Sequence, residues 1–583
     1  MRTIRFGHDP RTKAKVNLPI DSLRRHFHLQ GATGTGKTTA LLRLLHGIFL
    51  ATLYGCLIID LLGGFSWDLL MWFASRFCPQ HVRDRLIYFE AAREDWVLPF
   101  NPLPHESPSH GFYRVMRAVE VILRGWESQN IEAMPRLSRW IFNAFWAAAQ
   151  LGLTISDCAH FLMPTSPLHG RLIALLPESA QLEWSEITHG RPGDVAKILE
   201  SVRNRLKPFL ENEILRRMFG SSKNQLDVMQ FMRDRKILLV NLAPQNRLSP
   251  QVADAIGGLI INELQAGVRS LPAGYTLPVW CILDEFQNFI GEDFEYGIPE
   301  LRQKGVRLIC AHQSQSQLVR GEIDLRGVVF QLQNRLTFGM HGEDADVAAH
   351  ELASLTYDPN RIKEELYSRK QRISGHRIVE LQSWSETTGD SESNGTTNGS
   401  SSGGGRSRSA TDGDFSDATT YSWNDGSSSS SQFGTTRSQS QTSGRSQSLV
   451  PVYEEYLELS SRNYVSFQEQ ESIWGKDLRR LPVGLALLKV ADKPEPQLVQ
   501  IDRSTPGFLG FDMDKIRRHF PWAIEQTHQL IEENFARGPF CSPDEIDRDA
   551  QLRLERVLHS GLVIPASVTG RTTEPAPDQS PFA

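Results

Sequence analysis

The sequence is poor in cysteine, has little net charge for its length, and holds no unbroken apolar run of membrane-spanning length. Six cysteines are spread through 583 residues. None forms a Cys-x-x-Cys pair, which argues against a thiolate zinc framework. Cys56, Cys281 and Cys310 lie in apolar runs, where a reduced thiol behaves as a small buried hydrophobe. Lysine and arginine total 63 against 68 aspartates and glutamates, a net charge of -5. Bulk charge therefore cannot hold a nucleic acid, and such a partner would need a local basic surface. Residues 1–6 lack the apolar core of a signal peptide. The most apolar stretch, residues 47–73, is interrupted by Asp60 and Asp68 and punctuated by Gly55, Gly63 and Gly64. A membrane helix needs about 20 mostly apolar residues without such breaks. These absences predict a cytoplasmic chain with no intrinsic transmembrane segment.

What is present begins at residue 31. The segment GATGTGKT, residues 31–38, fits G-x-x-x-x-G-K-[ST] in full. Apolar residues 27–29 lead into it and residues 38–51 follow with helical periodicity, so the loop lies between a strand and a helix, the context such a loop requires. Its glycines let backbone N–H groups approach phosphates, and the helix N-terminus favours an anion. ATP is therefore expected at Gly31, Thr33, Gly34, Thr35, Gly36, Lys37, Thr38 and Thr39. Lys37 is expected to reach the β- and γ-phosphates, and Thr38 to ligate Mg2+.

A second apolar run, VWCILD at 279–284, ends in Asp284 and is followed by Glu285. A strand ending in a carboxylate places Asp284 beside the phosphates to hold the metal, and Glu285 can turn toward the attacking water as general base. Gln313 closes the next run, LICAHQ at 308–313, where it can sense the γ-phosphate or orient water, or simply cap the strand. Phosphoryl transfer gains from a positive charge delivered at the transition state. Arg302 is the candidate for supplying it from a neighbouring subunit, with Arg203 and Arg205 as rivals and a solvated helix charge as the plain alternative. Asp60 is read first as a cap on the turn at Gly63.

Alternating strand-like and helical runs predict an α/β fold with a parallel-rich central sheet. Strands are expected at 56–60, 86–89, 236–242, 279–284, 306–311, within 328–338, and at 485–490 and 498–501. The expected divisions are a first ATPase part (1–108), an all-helical insertion (109–220) and a second ATPase part (221–382). A disordered Ser/Gly-rich loop (383–449), a returning helix and strands (450–504) and a C-terminal helical region with a frayed tail (505–583) complete them. The Ser-rich stretch is too polar to offset its chain entropy by burial, and residues 453–478 look helical in places.

In order, GATGTGKTT, LIIDLLGG, the helical block, KILLVNLAP, CILDEFQNF, LICAHQSQSQL and QNRLTFGMHGEDADVAAHEL resemble the HerA–FtsK superfamily, and within it the conjugative coupling proteins of type IV secretion. The resemblance runs from about residue 27 to 355. It implies a RecA-like motor domain and a homo-oligomeric, hexameric ring. Such a ring would move DNA through its centre by phosphate contacts with little sequence preference. It assigns Lys37 and Thr38 to nucleotide and metal, Asp284 and Glu285 to metal and water, Gln313 to a sensor role and Arg302 to the trans-acting arginine. The insertion would face DNA or a relaxase. Coupling proteins usually carry transmembrane helices before the loop, whereas 30 residues precede Gly31 here. Contact with the inner membrane would then be peripheral, through a relaxase or secretion-channel subunit. The implied function is an ATP-driven DNA translocase of conjugative transfer. The alternatives are a HerA-like translocase in repair or phage defence and a nucleotide-gated protein recruitment platform. Glu285 speaks against the last, since a pure switch needs no efficient base.

Overall fold

The computed structural model describes residues 2–103, 108–126, 135–291, 293–320, 323–389, 438–493 and 495–560. The chain divides into two units, Met1–Pro359 with Ser466–Ala583, and Asn360–Val465.

The larger unit is built on one sheet. Its strands are β1 (Thr3–His8), β2 (Lys15–Pro19), β3 (Phe27–Gln30), β4 (Gly55–Asp60), β5 (Leu86–Glu90), β6 (Ile237–Asn241), β7 (Val279–Asp284) and β8 (Val306–His312). A two-strand hairpin, β9 (Val319–Arg320) and β10 (Ile323–Asp324), stands apart, and β11 (Asn334–Phe338) rejoins the sheet. The smaller unit supplies β12 (Ile362–Gly389) and β13 (Ser438–Tyr464), after which β14 (Leu485–Lys489) and β15 (Gln497–Ile501) complete the sheet. The sheet order is β2-β1-β15-β14-β11-β3-β8-β7-β4-β6-β5. From β11 to β5 every neighbouring pair is parallel. From β11 toward β2 every pair is antiparallel. The expected α/β fold with a parallel-rich sheet is what forms.

Parallel strands connected by helices are covered on both faces, which is why they read as continuous apolar runs. Successive side chains point to opposite faces. Leu57, Leu238 and Cys281 join one core, while Ile58, Leu239 and Ile282 join the other. Each fully buried side chain of this size contributes about 1.5–3 kcal/mol.

Between β5 and β6 the described residues contain helices and no strand, the longest being Pro108–Trp126, Pro135–Gln150 and Pro192–Glu211. The helix Pro543–Ser560, in a region expected only to be helical and frayed, docks on this insertion. Its Arg553 forms a buried ion pair with Asp157 at 3.0 Å, and Asp157 also accepts from the Thr154 N–H at 2.9 Å. The helix Pro521–Arg537 covers the free edge of β5. Asn534 there accepts from the Tyr88 N–H at 2.9 Å and donates to the Tyr88 carbonyl at 2.8 Å. Covering an edge in this way blocks further strand addition.

Two sequence expectations are corrected, one is located, and one feature was not anticipated. Residues 3–19 hold an unanticipated hairpin that extends the sheet. The strand expected within 328–338 is Asn334–Phe338, and the helix Arg326–Gln331 precedes it. Residues 453–464 form a strand, and the helix starts at Phe467, behind a capping box of Ser466 and Glu469. Residues 383–389 and 438–449, expected to be disordered, pair as the outer ends of the β12–β13 ribbon. Cross-strand pairing satisfies backbone groups without a core, so composition alone does not report it. The remainder of that expectation, 390–437, lies outside the described residues. Among the described residues no helix is long and apolar enough to cross a membrane.

Candidate active site

Register sets the geometry of the site. β8 lies between β3 and β7 and runs parallel to both, with Gln30 opposite His312 and Asp284 opposite Ala311. The next residues, Gly31 and Gln313, therefore emerge level at one carboxyl edge, with Glu285 one residue short of them beside His312. Strands are spaced about 4.8 Å apart, so the three span about 10 Å. This edge is where open parallel sheets bind ligands.

The loop 31–36 is held from both sides. Ala32 N–H donates to the Gly339 carbonyl at 3.0 Å, and Gly484 N–H donates to the Thr35 carbonyl at 2.9 Å. Gly36 ends the loop at φ 118 and caps the helix Lys37–Ala51. A Cβ there would be strained by this backbone conformation and also crowded, 3.2 Å from the Phe338 ring and 3.3 Å from Gly484 Cα. First-turn amides of a helix have no intrahelical acceptor and sit in a favourable field for anions. Gly34 and Thr38 are exposed at this end, while Thr39 is half-buried behind them. Lys37 Nζ donates to the Gly31 and Ala32 carbonyls at 2.6 and 3.2 Å, which keeps the ammonium inside the loop. Burial pulls its pKa below the ordinary lysine value, against the raising effect of Glu285 and Asp284.

Carboxylates crowd the neighbouring strand ends. Asp284 is pushed up to about 7, first by burial, then by the charges of Asp60 and Glu285, with Lys37 opposing. Asp60 accepts from the N–H groups of Leu62, Gly63 and Ser66 at 3.0, 3.0 and 2.6 Å, the turn-capping role expected of it, and it adds to the negative field at Asp284. Three carboxylates beside one lysine favour an added cation. No group of three or more His, Cys, Asp or Glu among the described residues could hold a metal alone. Thr38 and Asp284 instead fit the habit of Mg2+, which takes one or two carboxylates together with substrate phosphates.

Glu285 is buried and sits in the left-handed region, φ 54 and ψ 47. For a residue with a Cβ this costs about 1–2 kcal/mol, a strain that persists where surrounding contacts over-determine it. Those contacts are two amides: Gln313 Nε2 donates to Glu285 Oε1 at 2.5 Å, and Gln287 Nε2 donates to Oε2 at 2.8 Å. The Thr33 hydroxyl donates in turn to Gln313 Oε1 at 2.5 Å. One chain of hydrogen bonds thus joins the loop, through Gln313, to Glu285. Gln287 lies in the DEFQNF segment and Gly484 far along the chain; sequence reasoning assigned neither a role. His312, beside Gln313, is fully buried against His28, and burial lowers its pKa to about 3, so it is no proton acceptor at neutral pH.

Arg302 is not brought to this edge. It is exposed near the end of the helix Asp293–Gln303, before the amino end of β8, where its charge is felt by His26. Seven strand residues, about 23 Å at about 3.3 Å each, separate it from Gln313. It cannot serve its own loop. Arg203 and Arg205 lie on the insertion helix Pro192–Glu211.

Residues 10–98 match the family model described as type IV secretion-system coupling protein DNA-binding domain, a stretch that contains the loop and bears out the resemblance there. No curated protein matches the chain. Among solved structures, the bacterial conjugative coupling protein TrwBdeltaN70, unbound monoclinic form, is 14% identical over 87% of this chain and 90% of its own, with a TM-score of 0.46. The plasmid coupling protein TrwB in complex with ADP and Mg2+ is 14% identical over 87% and 94%, with a TM-score of 0.46. VirB4 of Thermoanaerobacter pseudethanolicus is 14% identical over 62% and 92%, with a TM-score of 0.37. Similarity this distant carries no functional conclusion.

Proposed function

We propose that this chain is an ATP-driven DNA translocase, a coupling protein of conjugative DNA transfer by type IV secretion. The observation that carries the reading is the hydrogen-bond chain from Thr33 through Gln313 to Glu285. It ties a strained base to the loop that would bind the nucleotide, which hydrolysis requires and a passive binding site does not. The family match at 10–98 supports the DNA side of the reading.

In this mechanism the amides of 31–38 and Lys37 bind the ATP phosphates. A magnesium ion, held by Thr38 and Asp284, would neutralise charge on the phosphate oxygens. Glu285 takes a proton from water as the water oxygen bonds to the γ-phosphorus and the bond to the β-phosphate oxygen breaks, leaving ADP and phosphate. Gln313 fixes the Glu285 carboxylate and relays the condition of the loop to it. Since Arg302 cannot reach its own loop, a transition-state arginine at that position would act on a neighbouring copy, which favours a ring, taken here as a hexamer. DNA would be held through its phosphates with little sequence preference. A relaxase or secretion-channel subunit would provide any attachment at the membrane.

The test is ATP hydrolysis by the full chain with and without DNA, over a range of protein concentrations, beside Glu285→Gln. Hydrolysis rising with DNA and with protein concentration, and falling about 10²–10⁴-fold in the variant, is expected. Wild-type hydrolysis indifferent to DNA at low salt would overturn the translocase reading.

A further inference from the structure

The β12–β13 ribbon is amphipathic, and nothing in the ribbon itself covers its apolar face. Pairing is continuous from Ile362 opposite Tyr464 to Gly389 opposite Ser438, with slips near residues 363, 366 and 374. Alternation along β13 puts Leu449, Tyr453 and Leu457 on one face, and the register adds Tyr367, Ile373 and Ile378 of β12 to it. These six are between 54% and 66% exposed. The opposite face carries a charge ladder, Lys370 with Glu458 at 2.5 Å and Arg372 with Glu454 at 3.2 Å, while one ion pair, Arg369 with Glu455 at 3.8 Å, lies among the apolar side chains. A two-stranded ribbon alone is marginal in water; stability needs a covered face.

We infer that this face is where a second copy of the chain packs, ribbon against ribbon. Two features favour a copy of itself over nucleic acid. Residues 362–380 and 443–464 contain seven lysines and arginines against six glutamates, so the ribbon offers no basic surface for phosphates. A neutral, mixed-sign surface can meet itself without net repulsion, as an isologous interface requires. The area is also right. Six large side chains left open at roughly 100 Å² each, with their neighbours, approach the roughly 800 Å² per partner of a stable interface. Ile373, midway between Tyr367 and Ile378, lies near the centre of such a contact. This inference does not rest on the motor reading.

The test is sedimentation equilibrium of the full chain, comparing wild type with Ile373→Glu/Leu457→Glu and with Arg377→Glu on the opposite face. Concentration-dependent association is expected, weakened at least tenfold by the double variant and unchanged by Arg377→Glu. Oxidation of Ile373→Cys should link copies covalently, whereas Arg377→Cys should not. Binding of a fluorescent ATP analogue checks that the remainder is folded in each variant. A monomeric wild type, or association equally insensitive to both faces, overturns the inference. In the second case a ring held by the ATPase unit alone would stand, and so would the motor reading. Face-dependent flotation with phosphatidylcholine vesicles, without self-association, would assign the face to lipid and also overturn it.

Discussion

Replacing Gln313 by leucine tests whether the amide positions Glu285 or only ends a strand. Leucine keeps the bulk and removes both bonds: the one received from Thr33 and the one given to the Glu285 carboxylate. A hydrogen bond to a charged group is worth about 1.5–3 kcal/mol net. The Gln287 bond to Oε2 remains, so the Glu285 carboxylate is loosened rather than freed. If that energy is lost in the transition state alone, kcat falls about 10–150-fold. Affinity for ATP should change by less than about threefold, because the loop amides and Lys37 are untouched and a threefold change is under 1 kcal/mol. Thr33→Val is the graded control. It cuts a neutral bond worth about 0.5–1.5 kcal/mol and leaves Gln313 on Glu285, so kcat should fall only about 2–12-fold. Steady-state hydrolysis gives kcat, and equilibrium titration with a fluorescent ATP analogue gives affinity. Wild-type turnover in Gln313→Leu would refute the positioning argument. So would a loss of affinity as large as the loss of rate, which would place Gln313 in binding.

Two further predictions concern stability. Asp68, buried in the helix Gly64–Ala74, is pushed up to about 6 chiefly by burial, with Asp60 adding to the rise and the Gly510 N–H opposing it. The folded chain therefore binds this proton more tightly than the unfolded chain, and the carboxyl's cost is absent below about pH 4, grows as pH rises, and is complete above about pH 6 at about 3 kcal/mol. Asp68→Asn, which keeps an acceptor for Gly510, should raise the urea midpoint most at pH 8 and progressively less toward pH 5; an equal gain at both would contradict this origin. Asn534→Ala should cost about 2–4 kcal/mol, because the buried N–H and carbonyl of Tyr88 lose both partners. Hydrogen exchange at the Tyr88 amide should accelerate with it, and unchanged protection there would mean that the helix does not seal β5.

The parts of this chain that could be read from sequence are those whose signal is local. Residues 31–38 form a contiguous motif, and VWCILD followed by Glu285 is a buried strand that ends in two adjacent carboxylates. The turn at Asp60 followed the same logic, because an aspartate before Gly63 can cap its own turn. What escaped depends on partners distant in the chain. Gly484 approaches Thr35 across 449 residues of sequence, and Asn534 reaches Tyr88 across 446. No periodicity reports such contacts. The ribbon misled in a different way. Its outer ends are Ser-rich and its inner half mixes Tyr, Glu and Leu, so helical and strand spacing both fit until the register with β12 decides. Arg302 could be named from the sequence, but its distance from Gln313 follows only from the direction of β8.

The strand that delivers the loop explains how the site keeps its shape. Phe27–Gln30 is a central strand, yet His28 and Gln30 within it are fully buried. Gln30 Nε2 donates to Thr337 Oγ1 of β11 at 3.0 Å, and its Oε1 accepts from Gln315 Nε2 at 2.5 Å. The Gln315 N–H donates to Asp344 Oδ1 at 3.0 Å. His28 Nε2 and His312 Nδ1 share a hydrogen bond at 3.0 Å across β3 and β8. An aliphatic layer would pack as densely, but dispersion is non-directional and tolerates sliding. Buried hydrogen bonds do not: each polar group stranded by a shift costs about 1–3 kcal/mol. Sliding β8 against β3 by one residue would strand several at once. The residue before Gly31 and the residues on either side of Gln313 are therefore locked to one another beneath the surface. That lock sets the reach from Thr33 to Gln313, and so the position of the Glu285 carboxylate.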